Sequence, residues 1–282
     1  MIPTIPRNRT VDWIYNTYIA MFFLYLALPL IVVVVFAFND SQFPSLPWKG
    51  FTWDWFFGET HPKIGVLHER SILSAIGTSV FVGICVSSLA VAVGTTNAFL
   101  FNRYEFRGKS ALYILMILPL VIPGIVLGIS ILVFSSYVAN GLWDLAKIDL
   151  DVLRPGIALV VLGQFSFVAT IATLVVSARL KSFDRTLEEA ALNLGATQLT
   201  AVRTVTIPYL APALVGAFVV AFLMSFENFN TTLMLVGSDA PLTIAMFDRL
   251  KEGSTPLLNA VSLMLMVGSS LLALVMIAFQ KR

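Results

Sequence analysis

The chain has 282 residues, of which 58% are hydrophobic and only 12% are charged. A soluble domain carries about 25% charged residues, so this chain has too little charge to cover a water-facing surface. The mean hydropathy of +0.88 therefore indicates a protein whose solvent is lipid. The net charge of +2 is too small to indicate a nucleic-acid-binding protein, and the single cysteine, Cys85, excludes a disulfide framework.

Six uncharged, apolar stretches follow one another along the chain. They cover residues 13–39, 71–102, 110–143, 155–178, 204–226 and 253–280. Each exceeds the roughly 20 residues that a helix needs to cross the hydrocarbon core. Because the apolar runs lack strict alternation, they predict helices and not barrel strands. The first run is too long for the core of a signal peptide, and no small-x-small cleavage site follows it, so we predict a retained span. The sequence thus predicts an all-α integral membrane protein with six transmembrane helices.

The basic residues predict the orientation of these spans. Eleven of the 18 Lys and Arg residues, among them Arg7, Lys281 and Arg282, fall on the side that holds both termini. Basic residues accumulate on the cytoplasmic side of membrane proteins. We therefore expect a multi-pass protein with both termini in the cytoplasm.

The first external loop, residues 40–70, is the longest and is rich in aromatic residues, including Trp48, Trp53 and Trp55. The preferred interpretation is an aromatic belt at the membrane surface, and the alternative is a docking surface for an external partner. The loop also holds His61 and His68, but two histidines at this spacing are weak support for a metal site. We predict no metal in this chain.

The third span carries Pro119, Pro123, Gly124 and Gly128. The prolines predict a kink, and the two glycines allow another helix to approach closely. Both features are commonly structural, although a kinked helix can also line a cavity. After the second span, residues 108–110 read Gly-Lys-Ser, like the end of a phosphate-binding loop, but Arg103 stands where that motif needs glycine. Any ATP that this protein uses is therefore expected on another chain.

The third cytoplasmic connection, residues 179–207, predicts a helix–turn–helix. Thr186 and Glu189 fit a capping box that starts a helix, and Gly195 can take the left-handed conformation that ends it. A second short helix can follow from Thr197, and Pro208 would then open the fifth span. The first helix has an apolar stripe at helical spacing, made of Leu187, Ala190, Ala191 and Leu194. This stripe either packs on the protein's own spans or is available to another protein.

The spacing of this loop matches a known pattern. Glu189-Ala190-Ala191, three residues, Gly195, nine residues and Val205-x-Ile207-Pro208 stand in this order. The segment resembles the EAA loop of ABC importer permeases, whose pattern is Glu-Ala-Ala, three residues, Gly, nine residues, Ile-x-Leu-Pro. Two aliphatic positions depart conservatively, and all spacings are kept.

Further segments extend the resemblance over most of residues 70–280. Residues 103–109 (Arg-Tyr-x-Phe-Arg-Gly-Lys), 179–184 (Arg-Leu-Lys-x-Phe-Asp) and 225–229 (Ser-Phe-Glu-Asn-Phe) are similar to the second permease of spermidine/putrescine importers. That family often has two adjacent acids after the Ser-aromatic pair, whereas this chain has Glu227-Asn228. The departure bears on the substrate.

The resemblance implies a type I ABC importer permease fold and a role in transport, with no catalysis in this chain. A single permease domain would span residues 1–282, with its core at 70–280 and its coupling loop at 179–207. The implied partners are an ABC ATPase dimer that holds ATP and Mg, a second permease subunit, and an extracytoplasmic substrate-binding protein. The implied location is the bacterial cytoplasmic (inner) membrane. The residues implied to couple to the ATPase are Glu188, Glu189, Ala190, Ala191, Leu194 and Gly195.

Glu227 is the only acid within the predicted spans. The fifth span is expected to continue to Val236, which would place Glu227 somewhat outward of its middle. The polar residues around it wrap most of the helix, which suggests a local break or contact with several helices. A charged group at such depth usually faces the bundle interior or an aqueous cavity. We predict a counter-charge for a cationic substrate, with a protonated or hydrogen-bonded structural glutamate as the alternative. The predicted pathway residues are Glu227, Asn228, Asn230 and Thr231.

The sequence thus favours the permease of an importer for a polyamine or a related organic cation. The same machinery could serve an opine, thiamine, another amine, or a ferric or other anion. A secondary transporter or channel would need paired repeats or a filter, and we find neither. A membrane enzyme is disfavoured, because no catalytic cluster of Ser, His and Asp is visible in the sequence.

Overall fold

The computed structural model describes residues 9–44, 46–253 and 255–280, and this part of the chain contains twelve α-helices. Arg7, Lys281 and Arg282, which contribute to the predicted orientation, lie outside the described residues. The helices are α1 (Arg9–Ala37), α2 (Asp54–Phe57), α3 (Arg70–Arg103), α4 (Lys109–Val121), α5 (Gly124–Ala146), α6 (Ile157–Lys181), α7 (Thr186–Asn193), α8 (Gln198–Ala201), α9 (Ile207–Phe226), α10 (Asn230–Leu235), α11 (Leu242–Glu252) and α12 (Pro256–Gln280).

Six helical segments are long and apolar enough to cross a membrane, which confirms the predicted number of spans. They are Arg9–Ala37, Arg70–Arg103, Gly124–Ala146, Ile157–Lys181, Gln198–Phe226 and Pro256–Ala278. The extent of burial differs greatly among these helices. In the most apolar stretch of α6, 56% of the residues are buried, whereas in that of α1 the buried share is 0%. The surface of α1 is therefore available to lipid or to another subunit.

The third span is interrupted rather than merely kinked. Helix α4 ends at Val121, Ile122 is extended, and α5 begins at Gly124. The ring of Pro123 disfavours a helical conformation at the residue before it, which explains why the interruption falls at Ile122. The sequence had located this irregularity through its prolines, and the structure turns it into two separate helices.

The fifth span differs from its prediction at both ends. A π-helical turn, Val202–Thr206, joins α8 to α9, so helical backbone runs from Gln198 to Phe226. The predicted short second helix is therefore the start of the span itself, and Pro208 lies within it instead of opening it. The wider π turn comes shortly before Pro208, which has no backbone N–H and so cannot donate a helical hydrogen bond. The predicted continuation to Val236 is wrong, because α9 ends at Phe226 and α10 begins at Asn230.

The chain divides into two compact units. Unit 1 comprises Met1–Arg70 and Arg249–Val267, and unit 2 comprises Ser71–Asp248 and Gly268–Arg282. The assignment of residues 1–282 to one permease domain stays a prediction.

In unit 1, the segment after α1 folds around an aromatic cluster. The ring of Phe38 lies 5.0 Å from that of Phe51, 4.9 Å from that of Trp53 and 5.2 Å from that of Phe56. The indole N–H of Trp55 donates to the backbone oxygen of Asn39 at 2.9 Å, which satisfies its one polar group. Phe51 and Trp53 stay more than half exposed. An exposed aromatic surface directly after a lipid-accessible helix suits an aromatic belt, which stays a prediction.

In unit 2, the core forms around α6. Buried residues of α3, α6 and α9 make one continuous cluster, which includes Val86, Ala172 and Leu210. Small residues bring the helices close together. A Cβ atom added to Gly94 of α3 would lie 2.8 Å from both the Ala172 methyl and the Thr173 backbone nitrogen. Within a membrane, such close packing replaces the hydrophobic drive that water provides elsewhere.

The close contact at Gly94 predicts that enlarging a glycine of α3 lowers the stability of the protein only where α6 lies against that glycine. Gly94→Val forces α3 away from the backbone of α6, and overpacking of this kind destabilises by about 1–3 kcal/mol. Gly77→Val, in the same helix, is the matched control, because a Cβ at Gly77 meets nothing within 4 Å. We expect a lower unfolding temperature in detergent for Gly94→Val only. Equal unfolding temperatures for the two variants would contradict this packing.

Candidate coupling loop and intramembrane site

Helix α7 of the loop begins with a cap that the sequence analysis misplaced. The Asp184 carboxylate accepts hydrogen bonds from the Thr186 backbone N–H at 3.0 Å and from the Thr186 hydroxyl at 2.9 Å. The predicted capping box of Thr186 and Glu189 is therefore wrong, since Thr186 is already helical and its hydroxyl donates to Asp184. The hydrogen bonds from the Thr186 backbone and hydroxyl lower the pKa of Asp184.

The end of α7 follows its prediction. Gly195 has a φ of +89°, a conformation that residues with a Cβ rarely adopt. Its N–H donates to the Leu192 oxygen at 2.9 Å, and the Ala196 N–H donates to the Ala191 oxygen at 3.1 Å. These bonds satisfy carbonyls that would otherwise be unpaired at the helix end. Thr197 then accepts from the Thr200 N–H at 3.3 Å and starts α8, as predicted.

The apolar stripe of α7 is not covered by the chain's own spans. Leu187 is 51% exposed, Leu194 is 89% exposed and Ala190 is also exposed. Only Ala191 is half-buried. Packing on the protein's own helices, the alternative left open by the sequence, does not occur for these leucines. The stripe presents an apolar surface suited to another protein.

The two adjacent carboxylates of α7 point in different directions. Glu188 pairs with the Arg103 guanidinium at the end of α3, with a distance of 2.9 Å between Nη2 and Oε1, and also accepts from the Thr206 hydroxyl. The Arg103 guanidinium carbon lies 5.6 Å from the centres of the Phe99 and Phe183 rings. Glu189 is exposed to solvent. Glu188, placed by the sequence among the coupling residues, thus holds α7 to the spans, and Glu189 stays available.

Burial of Glu188 favours its neutral form, but the hydrogen bonds from Arg103 and Thr206 outweigh burial and lower the pKa of Glu188. Sequence reasoning missed Arg103 and Thr206 because three separate segments bring these side chains together. The only available signal was an acid and a base in two loops on the same side of the membrane.

A second set of contacts fixes the same loop. The Arg185 guanidinium donates to the Asn102 oxygen at 2.9 Å, and the Asn102 amide donates to the Ser177 hydroxyl at 3.1 Å. The Arg179 guanidinium carbon lies 4.1 Å from the centre of the Tyr209 ring. These contacts join the loop to the ends of α3 and α6, and the end of α6 to the start of α9.

The fifth span breaks at Glu227, within the part of the chain predicted to be helical. Glu227 takes φ −88° and ψ −1° at the end of α9, and α10 starts three residues later. Asn228 accepts from the Thr232 N–H at 3.2 Å and from the Thr232 hydroxyl at 3.0 Å, which caps α10. Thr231 is 0% exposed and donates to the Gly124 oxygen at 3.2 Å.

The structure therefore divides the four predicted pathway residues into two pairs. Asn228 is half-buried and Thr231 is fully buried, and both hydrogen-bond within the chain. Glu227 and Asn230 are exposed. Among the described residues, the Glu227 side chain has no hydrogen-bond or ion-pair partner. A pathway role for these two side chains stays a prediction.

Phenyl rings flank Glu227 on both sides. Phe226, immediately before it, lies 5.7 Å from Phe222, and Phe229 lies 4.9 Å from Phe247 of α11 in an edge-to-face arrangement. The Thr243 hydroxyl, one turn before Phe247, donates to the Asn228 oxygen at 3.1 Å. Helix α11 thus packs directly on the interruption, where phenylalanines stand immediately before Glu227 and two residues after it in the sequence.

Apolar helices with interruptions in the third and fifth spans, together with an exposed helical loop, are the architecture of a membrane permease. Residues 90–282 match the family of binding-protein-dependent transport system inner membrane components, and the chain belongs to that family. It is therefore a permease subunit of an ABC importer, as the loop pattern had indicated.

Curated relatives share between a quarter and a third of their residues with this chain. The putrescine transport system permease protein PotI of Escherichia coli (strain K12) is 28% identical over 86% of this chain and 82% of its own. The spermidine/putrescine permease PotC of Haemophilus influenzae is 29% identical over 93% of this chain and 94% of its own length. The sulfate transport system permease CysT of Salmonella typhimurium is 28% identical over 92% and 88%.

Solved structures support the fold. A chain of a bacterial ABC transporter that imports the acidic polysaccharide alginate superimposes with a TM-score of 0.72, at 18% identity, over 97% of this chain and 96% of its own. The same transporter in complex with an alginate-bound periplasmic protein gives a TM-score of 0.71 at 17% identity. The type I importer permease fold is thereby confirmed.

The inward carboxylate of α7 predicts a local and pH-dependent loosening. Glu188→Gln leaves Arg103 without its ionic partner, at a cost of about 1–3 kcal/mol, so amide exchange in α7 should accelerate roughly 10- to 100-fold. Glu189→Gln is the adjacent matched control and should leave exchange unchanged. Hydrogen exchange followed by mass spectrometry of residues 186–196 measures both.

The lowered pKa of Glu188 sets the sign of the pH dependence. The pairing contributes fully above the ordinary glutamate pKa of about 4.3 and is lost as the pH falls through the lowered folded value. Wild-type α7 should therefore lose protection in acid, and the Glu188→Gln variant should show a smaller step, because only the Asp184 cap, whose pKa is also lowered, remains to be protonated. An acid step of equal size in both proteins would contradict the assignment to Glu188.

Proposed function

We propose that the exposed stripe of α7 docks on a separate ATPase subunit and transmits its closure to the spans. The observation that carries the proposal is the division of labour in α7: Leu187 and Leu194 face solvent while Glu188 fastens the helix to α3. A groove on the ATPase would bury the stripe. Because the loop is fixed at several points, closure would rock the spans as a rigid body.

The remaining parts of the machine follow from the same proposal. A dimer of ATPase subunits would hold ATP and Mg, since this chain has no phosphate-binding loop in its sequence. A second permease, either a homologous chain or a copy of this one, would complete the pathway. A soluble extracytoplasmic protein would deliver the substrate. This chain would have both termini in the cytoplasm, which places α7 on the side of the ATPase.

The substrate that the site favours is a polyamine or a related organic cation. Two of the relatives reported above are named for putrescine or for spermidine and putrescine, which supports a polyamine over the alternatives, although a sulfate permease has the same 28% identity. Charge favours the cation. The predicted spans contain one acid, Glu227, and no Lys or Arg. A carboxylate meets an amine well, and the flanking phenyl rings suit methylene chains and cations.

Gly195 provides the test of the coupling role. Gly195→Val puts a β-branched residue at a φ of +89°, where it is strained, while a Cβ there meets nothing within 4 Å. We expect the turn after α7 to distort, so that more ATP is hydrolysed per solute imported. The measurement is the ratio of ATP hydrolysed to solute taken up by the complex in proteoliposomes.

Gly108 supplies a matched control, because it has a φ of +87° in another loop and is equally open. Gly108→Val carries the same backbone strain and should keep the normal ratio. Cross-linking from Ala190→Cys to the ATPase reports docking directly and should weaken in the Gly195→Val protein only. A normal ratio for Gly195→Val would refute this account of the turn.

Glu227→Gln tests the counter-charge, because it keeps the shape of the side chain and removes its charge. We expect putrescine uptake by the complex to fall by about tenfold or more, the lower end of the loss for a charged hydrogen-bond partner. Assembly and basal ATP hydrolysis should be unchanged. Unchanged uptake would exclude the counter-charge, and loss of assembly would show that Glu227 is structural.

A further inference from the structure

A buried amide lies beside the interrupted span and has no role in the function proposed so far. Gln164 lies two turns into α6 and is 1% exposed. An unpaired amide at that depth is costly, so its partners indicate why it is there. The preceding residue is Gly163, where an added Cβ would lie 2.2 Å from Leu235 of α10. Helix α10 can therefore lie directly against α6 at the level of this amide.

The amide of Gln164 reaches both sides of the interruption. Its Oε1 accepts from the hydroxyl of Ser225, in the last turn of α9, and its Nε2 donates to the Thr232 hydroxyl at 2.8 Å, in the first turn of α10. The direction of these bonds is determined, because the Thr232 hydroxyl donates onward to the Asn228 Oδ1. Thr232 must then accept from Gln164, which leaves the amide oxygen for Ser225.

The bridged groups are themselves fully enclosed. Ser225 is 3% exposed and Thr232 is 0% exposed, and no buried side-chain nitrogen or oxygen among the described residues lacks a partner. One amide thus joins the end of α9 to the start of α10, while the exposed Glu227 lies in the segment between the two attachment points. The separation of the two helix ends determines where that carboxylate stands.

We propose that Gln164 is a positioning residue that holds the interruption at a fixed geometry and thereby keeps Glu227 directed into the pathway. The effect of Gln164 on transport rests on the proposed counter-charge role of Glu227. The effect of Gln164 on the location of residue 227 does not depend on that role. A purely structural amide would stabilise α6 against α9 and α10 without altering the access of water to that residue.

The position of residue 227 can be measured without any substrate. In a Cys85→Ala background, Glu227→Cys is labelled in the assembled complex with a water-soluble, cationic methanethiosulfonate. Adding Gln164→Met removes both hydrogen bonds at similar volume. Labelling should slow by about 30-fold, the factor that corresponds to two ordinary hydrogen bonds of about 1 kcal/mol each. Thr173→Val is the matched control, since this buried α6 hydroxyl bonds only within its own helix, to the Ala169 oxygen at 2.7 Å.

An unchanged labelling rate in the Gln164→Met protein would overturn the proposal. If that variant does not assemble, Ser225→Ala removes the α9 attachment alone. The same comparison then applies, with slower labelling supporting the proposal and an unchanged rate overturning it.

Uptake measurements decide whether Gln164 acts through Glu227. In proteoliposomes with putrescine, Gln164→Met should lower uptake. When Gln164→Met is added to Glu227→Gln, uptake should fall by no more than about a further twofold, which is the accuracy with which the effects of two mutations can be compared in a double-mutant cycle. Losses that multiply would show that the amide acts independently and would overturn the proposal. If Glu227→Gln alone leaves uptake unchanged, the counter-charge fails, and the labelling experiment still decides the position of residue 227.

Discussion

The need to satisfy every backbone polar group inside a membrane governs the arrangement around the fifth span. A helix can be interrupted at that depth only where protein groups replace the missing intrahelical bonds. Here the interruption lies between α9 and α10, and Asn228 caps the second of these helices. The buried Gln164 fastens both ends to α6. The exposed Glu227 lies between the two helix ends that these enclosed bonds hold.

The coupling loop solves a related problem on the water side of the membrane. A short helix of eight residues is marginal by itself, and its apolar stripe has no core to enter. The capping carboxylate of Asp184, the turn at Gly195 and the pairing of Glu188 with Arg103 hold it in place. The apolar face can therefore stay exposed without the loop collapsing onto the spans. Rigid attachment on one side and an open surface on the other are what a mechanical link between two subunits requires.

Family membership and substrate rest on different parts of this molecule. The loop and the helical frame place the chain among importer permeases, and that frame also serves relatives named for putrescine and for sulfate at equal similarity. The helical frame by itself is therefore compatible with substrates of either charge. The proposed source of a preference for cations is the interruption of the fifth span, where one acid stands between phenylalanines in the sequence and no basic residue is present in the predicted spans. Substrate preference can change there without disturbing the packing of α6.

The sequence alone determined the number of spans, the stop of α7 at Gly195 and the presence of irregularities near Pro123 and Glu227. Hydrophobic length, glycine conformation and proline chemistry are local properties, so they are legible in a linear chain. Only the tertiary structure decided that Glu188 points inward while Glu189 stays exposed, that Asp184 caps α7, and that Asn228 and Thr231 belong to the packing. Glu188 and Thr231 have their partners in distant segments, at Arg103 and Gly124, whereas Asp184 and Asn228 bond to residues two and four positions further along the chain. Periodicity places a side chain on a face of its helix, but the neighbouring helix determines whether that face is buried.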